Sequence, residues 1–453
     1  MYSVMLSALA RRLGVSPVAT DIGLTGLAID SRQVKPGDLF AAIKGDVVDG
    51  HDFIDDAITN GARAVISDRA VKQSIPSLQV PNVERACGEF GALMRRIGLV
   101  KIVGITGSAG KTTAKSYVEE MCSRAGETVA TLGNQNNELG VPLTLSRLSS
   151  GPDFGVIEMG AAQQGDIAYL AGLVQPDIVV LLNAFEAHLG RFGSVKAIVE
   201  TKGEILDGLS PESVAVLNAD QSYFDEWKRR AQPASVISFG MSDAADIQCV
   251  AIKESDFSGS TLTLTIFDAK YTVRLAIPGK AGVMNALAAV AVGVGLGIDE
   301  GDIIAAVETL EPVGRRGNVV PLPRGVRLID DSYNASPSSV MAAISLLATV
   351  GSPRTAVLGD MLELGDASVD YHREVGRHVQ ACGIERLLCV GDLARHFIVG
   401  DEAEAQHFSD VDALIGSAPA FSENETVLVK GSRGVALDRF VDEVYSSLGG
   451  TQC

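Results

Sequence analysis

The sequence predicts an α/β protein of three successive domains built on mostly parallel sheets. Three observations carry that prediction. Short apolar runs alternate with helix-length segments along nearly the whole chain, the pattern of strand–helix repeats. One of those runs, residues 102–105, leads straight into a glycine-rich loop and a helix, the order of a phosphate-binding unit. The chain has 453 residues, 46% of them hydrophobic, which fills several cores where a domain takes about 100–200 residues.

Composition narrows the class. Charged residues make up 21% of the chain, too few beside that apolar content for a disordered protein. No apolar run reaches the ~18 residues of a membrane span. The first twelve residues place apolar side chains ahead of Arg11 and Arg12, the reverse of a secretory leader, and predict an amphipathic helix and a cytoplasmic protein without membrane insertion. The six cysteines form no C-x-x-C pair and read as buried or incidental thiols. A net charge of -18 argues against non-specific nucleic-acid binding.

Residues 1–98 read as a small α/β domain. Asp30, Ser31 and Arg32 follow a strand, a turn at 34–38 leads into a strand at 39–43, a helix runs from Gly50 to near Gly61, and 64–66 is a further strand. Ser31 and Arg32 at a strand end suit a diphosphate or nucleoside, although Arg32 alone is equally a solvated surface cation. Residues 99–313 form the central domain. Its centre is the loop Gly107, Ser108, Ala109 and Gly110 followed by Lys111, Thr112 and Thr113. Backbone N–H groups and the positive helix end face an anion there, Lys111 adds a point charge and Thr112 can ligate Mg²⁺, so an ATP or GTP site is predicted. The loop is shorter than the usual G-x-x-x-x-G-K-[ST], because position 105 is Ile.

The asparagine-rich stretch 133–140, with Asn136 and Asn137, offers donors and acceptors to a polar ligand or is simply a solvated loop. Glu158 stands at the end of the strand 154–157, the edge where open α/β sheets place ligands. The strand 176–182 ends at Asn183, His188 follows in the loop, and a helix over 194–206 carries Lys202 between Glu200 and Glu204. Thr112 and Glu158 suffice to hold Mg²⁺ on a nucleotide. Lys202 is open to two readings. It is a cation on a solvated face, or a desolvated amine that takes up CO₂ to become a carbamate. Alternation over 258–266 and 271–277 predicts an antiparallel hairpin, a small-residue helix over 281–297 contains Asn285, and 312–317 reads as a hinge. Residues 314–453 form the third domain, with strands at 326–330, 355–358, 386–390 and 426–429 and helices such as 338–348 and 371–382. Polar clusters end three of its strands: 330–334, 359–363 and 430–433. A nucleotide domain flanked on both sides suggests ATP joined to two other substrates, with closure expelling water.

These motifs resemble the Mur ligase family of peptidoglycan synthesis, and within it the MurF type. The resemblance covers essentially the whole chain. It rests on Asp30-Ser31-Arg32 with 35–40, on 106–113, 133–137, 157–160, 186–188, 202–204 and 283–286, on Asp330-Asp331-Ser332-Tyr333-Asn334-Ala335, on Gly359-Asp360-Met361-Leu362-Glu363-Leu364-Gly365 and on 430–434. The resemblance implies a three-domain architecture: a central P-loop ATPase domain, an N-terminal domain for the UDP-sugar and a Rossmann-like C-terminal domain that closes over both. It implies ATP-dependent joining of D-alanyl-D-alanine to UDP-N-acetylmuramoyl-tripeptide through an acyl phosphate. These small molecules would be the partners, the protein acting as a monomer. Lys111, Glu158, His188 and Lys202 would act in catalysis. Two Mg²⁺ ions are expected, one on Thr112 and Glu158, the second near His188. Lys202 matches a position carbamylated in some members. Asn285 and Arg315 match ATP contacts, with Arg316 able to take the role of Arg315, and Asp331 and Asn334 lie near ribose and adenine. Ser31 and Arg32 would serve the UDP-sugar, and Lys430 and Arg433 suit the peptide carboxylates. Two departures stand out: Ala281 and Gly282 replace a usual His-Asn, and Ala184 and Phe185 replace a usual Ile-Gly. The alternatives are a sibling ligase adding one amino acid, a folylpolyglutamate synthase, or a nucleotide-dependent switch that needs no amine.

Overall fold

The computed structural model describes residues 1–16, 20–186, 189–400 and 404–447. Near the N-terminus, four parallel strands pair in the order Gly26–Ala28, Asp38–Ala42, Ala64–Ser67 and Ser77–Gln79. Strand periodicity splits Asp38–Ala42 between two cores. Phe40 and Ala42 pack with Ile54 and Ala57 of helix Ile54–Thr59, whereas Leu39 and Ala41 face the opposite side.

That opposite side is closed by helix Val83–Ile97, which the sequence reading did not single out. Asn82 starts it, its side chain accepting the Arg85 N–H at 2.6 Å. Val83, Ala86, Cys87, Phe90 and Met94 then form one buried stripe at helical spacing. The same helix lies against Gly140–Ser146 and Asp166–Val174 of the central region, so the two regions share one core. The approach is close enough to require glycine. A Cβ at Gly88 would sit 2.4 Å from the Tyr169 hydroxyl, and one at Gly91 would sit 3.0 Å from Pro142 Cα.

Among the described residues the central sheet has nine strands. Strand Lys101–Thr106 lies in its interior, with Phe154–Glu158 and then Thr128–Ala130 on one side, and Ile178–Leu181, Val214–Asn218 and Ser235–Gly240 on the other. All of these pair in parallel. The chain therefore leaves Lys101–Thr106 where connections turn to opposite sides, the switch point at which open α/β sheets bind ligands. The expected hairpin is present as Gly259–Ile266 and Ala269–Leu275. A further strand, Ile247–Asp256, joins it to the parallel part, so the hairpin extends the same sheet rather than forming its own. Helix Gly279–Gly295, rich in alanine and glycine, packs against helix Lys111–Ala125 and the sheet.

The C-terminal sheet runs Asn318–Pro321, Arg327–Asp331, Thr426–Lys430, Arg354–Gly359, Arg386–Val390 and Glu404–Phe408; the first pair is antiparallel and the rest parallel. The four expected strands lie in its middle, and both edge strands are additions to the sequence reading. The ends at Asp331, Gly359 and Lys430 are adjacent and carry the three polar clusters. Phe257, in the turn between strands Ile247–Asp256 and Gly259–Ile266, is buried to 4% exposure in a core otherwise built from C-terminal residues such as Ile329, Val340 and Ile344.

Candidate active site

The phosphate loop is shaped by its neighbours. Gly110 has φ +82° and precedes helix Lys111–Ala125; a Cβ there would also meet Asn285 Oδ1 at 2.5 Å. Asn183, at the end of the adjacent strand, clamps the loop. Its Oδ1 accepts the Ala109 N–H (2.9 Å), its Nδ2 donates to Ala109 O (3.1 Å), and its backbone oxygen accepts the Ser108 N–H (3.1 Å). Sequence reasoning did not name Asn183 as a site residue; its place at a strand end beside the loop was the available signal. The Ser108 hydroxyl donates to Phe185 O and accepts the Phe185 N–H. Position 185 thus acts here through its backbone, which explains how Phe is accommodated.

Lys111 donates from Nζ to Gly107 O at 2.8 Å. Burial lowers its pKa; the Glu158 carboxylate works against that effect and the Arg316 cation adds to it. Glu158 is 1% exposed. Its Oε1 accepts from Asn136 Nδ2 at 2.6 Å, while Oε2 is buried with no hydrogen-bond partner. An ionised oxygen in that position costs several kcal/mol, on the order of a lost charged hydrogen bond or more, unless a cation satisfies it. Thr112 lines the same cavity. Among the described residues no group of three or more His, Cys, Asp or Glu could hold a metal alone. This donor set fits Mg²⁺, which takes one or two protein oxygens and completes its shell with substrate phosphates and water.

The asparagines divide their work. Asn136 orients Glu158, and Asn137 Oδ1 accepts the Gly140 N–H at 2.9 Å at the start of helix Gly140–Ser146. Lys202 is 3% exposed, and burial, then the nearby Lys111 cation, push its pKa down to about 7 against the pull of Asp166 and Glu204. Glu204 is itself committed, accepting the N–H groups of Gly165 (2.8 Å) and Ala168 (3.0 Å). His188 lies outside the described residues.

These groups line one cavity of about 730 Å³ between the central and C-terminal sheets. It gathers 107–113, Asn136, Asn137, Glu158, Lys202 and Asn285 from one side and Asp331, Asn334, Lys430 and Arg433 from the other. Lys430 donates to Asp331 Oδ2 (2.7 Å) and Asn334 O (3.0 Å), and Arg433 to Asp438 Oδ2 (2.6 Å). Arg315 is not brought to the cavity. Its guanidinium is turned to Asp442 (2.9 and 3.0 Å) and to Asp438 O (3.1 Å), outside the cavity. Arg316 lines the cavity in its place, with its guanidinium 3.7 Å from the Tyr333 ring centroid. Ser31 and Arg32 are not brought to this cavity either. Arg32 is exposed and paired with Asp30 (2.7 Å), and Ser31 is buried in a short 3₁₀ turn.

With this geometry in view, comparison with known proteins is decisive. The Mur ligase family catalytic domain matches residues 23–95, the Mur ligase middle domain 105–293 and the Mur ligase glutamate ligase domain 315–433. The chain belongs to the Mur ligase family. A Mur ligase of Escherichia coli K12 named UDP-N-acetylmuramoyl-tripeptide–D-alanyl-D-alanine ligase is 36% identical over 97% of this chain and 98% of its own length. A MurF crystal structure from Acinetobacter baumannii superposes with TM-score 0.88 at 30% identity, covering 98% and 99% of the two chains. MurF from Thermotoga maritima, solved with ADP, has TM-score 0.82 at 29% identity, covering 93% and 97%. The three-domain α/β Mur ligase architecture is thereby shown.

Proposed function

We infer that this Mur ligase joins D-alanyl-D-alanine to UDP-N-acetylmuramoyl-tripeptide at the expense of ATP, yielding the UDP-MurNAc-pentapeptide precursor of peptidoglycan, ADP and phosphate. The observation that carries the reading is the single cavity in which a phosphate cradle from one domain faces Lys430 and Arg433 from another, in a chain matched end to end by relatives bearing that name. The relative solved with ADP supports ATP as the nucleotide.

In the first step a tripeptide carboxylate oxygen attacks the γ-phosphorus and the bond to the β–γ bridging oxygen breaks, releasing ADP. In the second, the dipeptide amine adds to the acyl carbon, loses its proton and expels phosphate. Lys111 and the N–H groups of the loop bind the phosphates and offset their charge. Thr112 and Glu158 would hold a Mg²⁺ ion, which would help to offset the phosphate charge, and His188 would serve a second. Asn285 and Arg316 contact the nucleotide, with Asp331 and Asn334 toward its ribose and base. Lys430 and Arg433 orient peptide carboxylates, and Ser31 and Arg32 hold the UDP moiety. Lys202, buried with its pKa lowered to about 7, has the free amine that carbamylation requires. Domains spanning 1–98, 99–313 and 314–453 divide UDP-sugar, ATP and dipeptide among them. No described helix is long and apolar enough to cross a membrane, and a nucleotide-consuming monomer in the cytoplasm fits these substrates.

The test is phosphate release from ATP with UDP-MurNAc-tripeptide, with and without D-alanyl-D-alanine, together with product mass. Release that needs both substrates and gives the pentapeptide mass is expected. Release indifferent to the dipeptide points instead to a nucleotide switch or to a sibling using another amine.

A further inference from the structure

The Asp360–Gly365 loop presents Leu362, Glu363 and Leu364 to the cavity. Its backbone is bound residue by residue. The Asp360 carboxylate anchors the start by accepting the Ala394 N–H (2.7 Å), and Asp360 O accepts the Ser432 N–H (3.0 Å). The Leu362 N–H donates to Ser432 Oγ (2.9 Å), and Gly365 O accepts from Ser368 Oγ (2.6 Å). Glu363 lies at φ +64°, a left-handed conformation that a residue with a side chain keeps only where its surroundings impose it. Between Asp360 and Leu362, the Met361 N–H donates to His372 Nε2 at 3.0 Å.

His372 stands one turn inside helix Ser368–Ala381, behind the loop rather than in the cavity. It is fully buried, with its ring centroid 4.7 Å from that of Phe397. Its Nδ1 meets Ser368 O at 2.6 Å. A carbonyl oxygen only accepts and an amide N–H only donates. The two bonds therefore fix one form of the ring, neutral with its proton on Nδ1 and its lone pair on Nε2. Burial favours the same neutral form and lowers the pKa; the bond to Ser368 O and the Asp360 carboxylate work against it, and His396 adds to it.

We propose that His372 is a positioning residue for the ligation: its Nε2 lone pair holds the Met361 N–H and thereby fixes the Leu362–Leu364 wall of the closed cavity. The proposal rests on the ligase reading above. A buried amide left without an acceptor is costly, so the loop would shift until Met361 found another partner. A displacement of about 1 Å in a wall that aligns two substrates lowers the rate by up to about 10²-fold.

Two substitutions separate the acceptor from the ring. His372→Gln and His372→Asn both lose the packing on Phe397, but Gln carries its side-chain oxygen to about the reach of Nε2 and Asn only to that of Nδ1. His372→Gln should keep kcat within about threefold of the original protein, and His372→Asn should lower it about tenfold or more, with the dissociation constant for the Mg²⁺ salt of ATP unchanged in both. Amide exchange of the intact protein without peptide substrates should quicken about tenfold over residues 361–364 in His372→Asn and stay slow in His372→Gln. The ¹⁵N spectrum of the original protein should show one imidazole, lost in His372→Gln, that is protonated at Nδ1 and bare at Nε2. Equal loss of kcat in the two variants overturns the proposal, because ring packing alone then accounts for it. So do full activity in His372→Asn, exchange over 361–364 that ignores both substitutions, and a proton on Nε2. If the original protein joins no peptides, the ligase reading falls, and the exchange and ring signals still decide whether His372 holds the loop. If His372→Asn does not fold, the protonated nitrogen and the behaviour of His372→Gln decide.

Discussion

At the level of single residues the site is organised by where charge is left uncompensated. Glu158 has one oxygen held by Asn136 and one buried without a partner. Lys111 and Lys202 both have depressed pKa values, and burial is the first cause for each. Lys111→Ala should abolish product formation, at least 10³-fold, and leave the circular dichroism spectrum unchanged, because the ammonium hydrogen-bonds to the loop it serves; retained activity would remove the cradle assignment. Lys202 couples folding to pH. Its amine is protonated below about pH 7 in the folded protein, whereas an unfolded chain keeps the proton to the ordinary lysine range. The unfolded state therefore binds more protons between those values, and the group's contribution to folding stability rises with pH across that window, the burial penalty being full below it. Only the free amine adds CO₂. A carbamate signal from ¹³C-labelled bicarbonate should grow as the pH rises through about 7 and disappear below it. Lys202→Arg should remove both the signal and ligation. Full activity at mildly alkaline pH with no such signal would rule the carbamate out.

At the level of elements, what the sequence conceals has identifiable physical causes. The strand Ile247–Asp256 escaped recognition because its register shifts twice, between Cys249 and Ala251 and between Ile252 and Glu254; bulges destroy the period-2 pattern that made Gly259–Ile266 legible. The edge strands Asn318–Pro321 and Glu404–Phe408 carry proline, charge and exposed faces, as edges do, and so lack an apolar signature. The loop from Gly107 to Thr113, Glu158 at its strand end and the three polar strand ends of the last domain were legible, since residue type and position fix their place. The choice between Arg315 and Arg316 was not, because the turn sets which side chain faces inward, with Gly314 at φ +56° and Gly317 at φ +85°. One loop contact ties the central domain to the C-terminal domain. Gly190 donates its N–H to Glu363 O (3.1 Å), Arg191 pairs with Glu363 (3.0 Å), and a Cβ on Gly190 would meet Gly365 N at 3.0 Å. The exposed ion pair adds little, but the backbone approach fixes how the Asp360–Gly365 loop meets the cavity. Gly190→Val should lower kcat by an order of magnitude or more and leave nucleotide affinity nearly unchanged, as separate kcat and binding measurements would show. Equal loss of both would place the contact in nucleotide binding instead.

At the level of the whole molecule, the two junctions between domains differ in kind. The N-terminal sheet and the central domain share a continuous core through helix Val83–Ile97, so they should unfold together. The C-terminal domain is joined to the centre by the hinge, by the Gly190–Gly365 approach, by helix Gly279–Gly295 against helix Pro337–Leu347, and by Phe257, inserted from the turn between strands Ile247–Asp256 and Gly259–Ile266 into the C-terminal core. Domain junctions of modest area permit motion by default, and closure over the cavity needs a junction that holds without being permanent. Replacing a buried Phe with Ala costs about 3–5 kcal/mol, and here that loss falls on the contact between domains rather than within either one. Phe257→Ala should therefore split the thermal transition, with the C-terminal domain melting separately from the rest. It should also enlarge the radius of gyration measured by small-angle scattering, and a saturating nucleotide that bridges the cavity should partly reverse both effects. Phe257→Leu, which keeps most of the volume, should restore a single transition. If Phe257→Ala instead lowered the melting temperature as one unsplit transition with no change in radius, the side chain would be supporting its own hairpin, and the coupling between domains would reside in the hinge, the helix pair and the Gly190 contact.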